Sequence, residues 1–174
     1  ANRNMADPGT PNPPPLTLAE RTATPPVDAA VAAAALTEIT VPPEFEVTVF
    51  ATPPVYNSPT AIAAAPDGTV FVAGDGNGAQ AFFPHMGHIV RLRDTNGDGR
   101  ADQATQFVPD IDAPRGLLWY DDRLIVMAPP NISAFYDRNN DGIADEQRIL
   151  IRGVGRSLAE ARVDHGQNNI KAGN

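Results

Sequence analysis

A chain of 174 residues holds one ordinary domain at most. It contains no cysteine, which excludes disulfides, thiolate metal sites and covalently attached haem, and its net charge of −8 has no basic patch to offset it, which argues against nucleic acid as a partner. No run of about 18 apolar residues offers a transmembrane helix, and no basic stretch leading into an apolar core stands as a signal peptide. Ala1 occupies the first position in place of methionine, so an upstream segment is expected to have been removed.

In chain order, residues 1–43 read as an extended arm. Pro8, Pro11, Pro13, Pro14, Pro15, Pro25, Pro26, Pro42 and Pro43 bar most regular structure and bias the backbone towards polyproline geometry. The alanine-rich stretch from Val27 to Leu36, behind a Pro-Pro pair and with Asp28 near its start, is either a short helix or a linker.

Residues 44–174 change character to short β-type runs. The stretch from Phe45 to Phe50 alternates in part, and the run from Thr60 leads through the turn Pro66-Asp67-Gly68 to a buried-type strand at Thr69 to Ala73. His88 to Arg93 enters an acidic loop and Ala104 to Val108 leaves it. The pattern then repeats, with Gly116 to Tyr120, a turn at Asp121-Asp122, Arg123 to Met127, Ile132 to Tyr136 into a second acidic loop, and Gln147 to Ile151 out of it. The expected fold is all-β, an incomplete β-propeller of about two four-stranded antiparallel blades behind an extended arm. A closed ring needs at least four blades, so strand edges and half of each blade face are expected to await a partner.

The two loops both spell D-x-N-x-D-G-x-x-D, from Asp94 and from Asp137, and their 43-residue spacing is the length of one blade. Such residues make tight turns unaided, but each loop also presents oxygen ligands at alternate places before a glycine, as Ca²⁺ requires. The candidate metal ligands are Asp94, Asn96, Asp98, the carbonyl of Arg100 and Asp102, and then Asp137, Asn139, Asp141, the carbonyl of Ile143 and Asp145. The twelfth places are Thr105 and Arg148, so the bidentate glutamate of an EF-hand is missing and the affinity is expected in the extracellular range. Two bound Ca²⁺ cancel half of the net charge. Other candidates carry less: His85 and His88 have no third ligand at metal spacing, Gly74, Gly76 and Gly78 have no helix behind them to cradle a phosphate, and Asp164-His165 lacks a nucleophile.

The succession "FEVTVFATPP", "PTAIAAAPDGTVFVA", "GHIVRLRDTNGDGRAD", "PRGLLW", "YDRNNDGIADE" and "DHGQNN" resembles the N-terminal part of the membrane-bound dehydrogenases of planctomycete-type bacteria, β-propellers similar to soluble quinoprotein glucose and sorbosone dehydrogenases. The resemblance covers roughly residues 44–169. It implies PQQ at one mouth of a propeller, with His165 as base and Arg115 facing the cofactor. Only two blades are present in this sequence, and no Cys-x-x-Cys-His follows.

Three functions fit the sequence. The favoured one is a non-catalytic, periplasmic or extracellular accessory subunit, held on a larger assembly by its Pro- and Ala-rich arm; a membrane-bound electron-transfer or photosynthetic complex is one host. The alternatives are an N-terminal fragment of a PQQ-type sugar or alcohol dehydrogenase, and a calcium-dependent ligand-binding module. Trp119, the only tryptophan, lies in a strand expected to face a core, which gives a carbohydrate no platform.

Overall fold

The structure, a computed structural model, describes residues 26–56, 58–76, 80–81, 84–157, 163–164 and 170–171. Among the described residues one helix, α1 (Ala29–Leu36), precedes ten strands: β1 (Pro59–Ala64), β2 (Val70–Asp75), β3 (Gln80–Ala81), β4 (Gly87–Arg93), β5 (Gln103–Val108), β6 (Gly116–Tyr120), β7 (Arg123–Ala128), β8 (Asn131–Tyr136), β9 (Glu146–Arg152) and β10 (Val163–Asp164).

The all-β reading holds. Strands β1-β2-β4-β5 form one four-stranded sheet and β6-β7-β8-β9 a second, every pairing antiparallel. The described residues do not close a ring. A two-residue pairing of β3 with β10 ties the loop after β2 to the C-terminal region, and strands so short show no alternation in sequence.

The Val27 to Leu36 stretch resolves as a helix. Alanine costs nothing in helix propensity, and Asp28 caps the first turn by accepting from the N–H groups of Ala30 and Val31 at 2.9 and 3.1 Å. The cap is itself fixed to the sheet domain, because the Asp28 N–H donates to Thr52 Oγ1 at 2.7 Å and the Thr52 N–H to the Pro26 carbonyl at 2.8 Å.

The main core lies between the two sheets. Phe71, Ala73, Ile89 and Phe107 from the first sheet meet Leu117, Leu124, Val126 and Phe135 from the second. Alternation sends these side chains to one face of each strand. Trp119 stacks on Phe71 with ring centroids 5.3 Å apart, and Phe107 meets the same ring edge-on at 4.9 Å. The opposite face of the first sheet, Val72, Val90 and Leu92, is covered by Phe50, Ala51, Val55 and Tyr56. Residues 45–50, read as β-type from their alternation, belong to no strand, because no described strand lies beside them to complete a ladder.

Candidate functional site

The two acidic loops join β4 to β5 and β8 to β9. Both fold on the same plan. Asp94 accepts from the N–H groups of Gly97 and Gly99 at 2.7 and 2.8 Å, and Asp137 from those of Asp141 and Gly142 at 3.1 and 2.9 Å. Asn96 accepts from Asp98 N–H, and Asn139 from Asp141 N–H, both at 2.9 Å. Asp98 and Asp141 accept from the N–H groups of Arg100 and Ile143. At the ninth place, Asp102 and Asp145 reach back to the N–H groups of Thr95 and Arg138, so each loop closes on itself.

These contacts set the charge state. Partial desolvation pushes the Asp94 carboxyl up, but the N–H groups of Gly99, Gly97, Asp98 and Asn96 outweigh it and hold its pKa below the ordinary aspartate value. In the second loop the Arg138 guanidinium lies 3.9 Å from the Tyr136 ring centre and pairs with Asp122 at 2.7 Å and Glu146 at 3.0 Å. Hydrogen bonding to Arg138 holds the Asp122 and Glu146 carboxyls below their ordinary values, with Arg148 assisting at Glu146.

Every sequence-read ligand of a loop is thus brought to one turn. Their acidic groups do not yet converge: among the described residues, no three His, Cys, Asp or Glu side chains surround a point where a metal ion could sit. The donors are all oxygen, the chemistry of a hard cation.

Each loop is also a joint. The Ala144 N–H donates to the Phe107 carbonyl at 2.9 Å, tying the second loop to β5 of the neighbouring sheet. Gly142 makes this approach possible: at φ +90° it adopts a conformation that other L residues avoid, and a Cβ there would lie 2.8 Å from Arg91 Nη1 and 3.3 Å from Thr105. Arg91 Nη1 in turn stands 3.5 Å from Asp137 Oδ2. At the far end of the strands a second joint forms, where Arg115 Nη2 meets Asp75 Oδ2 at 2.8 Å with both side chains largely buried. Sequence reasoning missed this pair, because the two residues lie 40 positions apart in the chain and no motif couples them.

Arg115, the residue the resemblance turns towards a cofactor, is therefore engaged between the sheets, and His165 lies outside the described residues. Of the two weaker candidates, His85 is exposed and bonds Asp110 at 2.7 Å, a contact that raises its pKa; His88 is buried in β4.

With this geometry in place, the comparison with known families is direct: residues 31–174 match the family described as a domain of unknown function, DUF7133. The chain belongs to this family. No curated protein and no solved structure matches it. The DUF7133 match includes most of α1, both sheets and both acidic loops.

The joint yields a test within this DUF7133 chain. Gly142→Ala should destabilise it by more than Gly68→Ala in urea denaturation followed by Trp119 fluorescence. Gly68 also has positive φ, +84°, but open space around it, so its substitution costs only the backbone term of about 1–2 kcal/mol. Equal losses would show that the close approach to Arg91 and Thr105 contributes nothing.

Proposed function

We propose that the chain is a non-catalytic docking module, an exported accessory subunit whose two blade-like sheets are fixed to each other and offer open flanks to the other subunits of a protein complex. One observation carries this reading. The outward face of the second sheet presents Leu118, Tyr120, Ile125, Ile132, Leu150 and Ile151 around a shallow depression of about 390 Å³ that Ile170 and Lys171 of the C-terminal region also line, with Leu150 and Ile151 50% and 53% exposed. By strand register, Leu118, Ile125, Ile132, Leu150 and Ile151 stand where Ala63, Phe71, Ile89, Phe107 and Val108 stand in the first sheet. Those equivalents pack against the second sheet in the core. A surface that is core at one step of a repeat and open at the next is suited to a protein partner.

The resemblance to quinoprotein-like dehydrogenase propellers enters this reading as a proposed ancestry, and the engagement of Arg115 with Asp75 supports a structural role for that arginine. The host on this reading is an assembly facing the periplasm, such as a membrane-bound electron-transfer or photosynthetic complex. No described helix is long and apolar enough to cross a membrane, so the chain would sit peripherally.

The loops are proposed to take Ca²⁺ in a structural role. The N–H bonds they make leave acceptor capacity on carboxylates that each offer roughly four positions, and the exposed Asp98, Asp102, Asp141 and Asp145 side chains need only turn inward. Titration calorimetry of the metal-free chain should detect up to two sites in the range of about 10⁻⁴–10⁻³ M. The 94–102 loop should be the tighter, since Arg91 opposes a cation at Asp137, and Arg91→Gln should strengthen the weaker site. No heat and no change in melting temperature at millimolar Ca²⁺ would reduce both loops to turns.

The docking reading is tested at Leu150 and Ile151. A variant with both changed to Asp should keep its circular dichroism yet drop out of the native assembly, and the intact chain should reduce no dye with sugars or alcohols when given PQQ and Ca²⁺. Assembly undiminished in the variant, or dye reduction lost in His165→Ala, would contradict the reading.

A further inference from the structure

The first acidic loop rests on residues 46–51 as the second rests on β5. Ala101 N–H donates to the Phe50 carbonyl at 2.9 Å, matching Ala144 to Phe107 at 2.9 Å. A Cβ on Gly99 would meet Thr48 at 3.1 Å, and one on Gly142 would meet Thr105 at 3.3 Å. Thr48-Val49-Phe50-Ala51 thus stands to the first loop as Thr105-Gln106-Phe107-Val108 stands to the second, and the two segments share their threonine and phenylalanine.

The likeness ends at the next strand inward. β5 is paired along its length with β4, where Arg91 lies opposite Thr105 and reaches Asp137 at the head of the second loop. Residues 46–51 have no such neighbour: among the described residues none of their N–H groups donates to a backbone carbonyl, and no basic side chain lies within 4 Å of Asp94, at the head of the first loop. Val47 is 38% exposed and Phe45 64%.

We infer that residues 46–51 are a docking strand that accepts an antiparallel β-strand from a partner protein, with an arginine opposite Thr48 whose guanidinium engages Asp94. Main-chain hydrogen bonds supply affinity in this mode of recognition and the side chain supplies register. A second copy does not fill the place through β4 or β8, the strands of this chain that carry the matching role, because each is already paired on both edges. The inference rests on the docking reading but concerns the opposite flank from Leu150 and Ile151, so the two fail separately.

The probe is a blocked synthetic peptide with the sequence of residues 86–94, which contains the β4 strand, titrated into the full chain while amide resonances are followed by NMR. Saturable shifts at 46–51 are expected. Binding should weaken roughly fivefold, the effect of a favourable exposed ion pair, for a peptide with alanine at the place of Arg91 and for Asp94→Asn, and should be unchanged in Asp121→Asn, at an exposed turn in the second sheet. The peptide arm leaves the protein untouched, so it stands even if Asp94→Asn perturbs the loop. No shift at 46–51 with millimolar peptide, shifts at 103–108 governed by Asp137, or concentration-dependent self-association in sedimentation that Asp94→Asn abolishes would each overturn the inference, the last by assigning the place to a second copy.

Discussion

The hydrogen bond from Ala144 N–H to the Phe107 carbonyl fixes where the second sheet sits on the first. It needs a loop that can lie flat on a neighbouring strand, which is favoured by a glycine at position 142, where φ is +90° and Thr105 stands close, and by acidic side chains that hold the turn from within. Asp137 and Asp141 provide that internal scaffold by accepting N–H groups of their own loop, so the segment arrives at β5 already shaped. The core between the sheets, with Trp119 on Phe71, and the Arg115 to Asp75 pair at the other end then lock the same orientation at two further levels. A buried ion pair adds little net stability, but across a sheet-to-sheet contact it resists sliding.

The sequence displayed the elements well. Short β-type runs set off by turn residues located eight of the strands, and the doubled D-x-N-x-D-G pattern located the loops, because their side-chain to backbone bonds are local. Coverage was not legible: Ile125 and Ile132 are as apolar as their equivalents Phe71 and Ile89, and nothing in the residues themselves says that one set is packed and the other open. The same limit applies to residues 45–50, whose alternation is that of a strand although only a neighbouring strand can make them one. The stretch at 27–36 read more readily as a linker than as a helix, and the contact of Asp28 with Thr52, remote in the chain, accompanies the helix that forms.

At the candidate site the ligand residues of each loop were legible as a set. Their orientation was not, since whether a carboxylate turns towards an ion or towards an N–H depends on a few ångströms of backbone placement. The loops emerge with two roles drawing on the same atoms. Asp137 anchors its turn and receives Arg91 from the adjacent sheet, whereas Asp94 anchors its turn and has no such cation among the described residues. That asymmetry, together with an apolar face open on one sheet and covered on the other, is what the proposal of a partner on each flank rests on.

Hydrogen–deuterium exchange of the isolated chain tests this most directly, by comparing residues 46–51 with residues 103–108. The two segments hold equivalent places on equivalent loops and differ only in having a strand beside them. The amides of 103–108 that face β4 should be protected, and those of 46–51 should exchange at near the rate of an unstructured chain. Equal protection of both segments would mean that 46–51 is already paired, and the account of an open docking flank would be wrong.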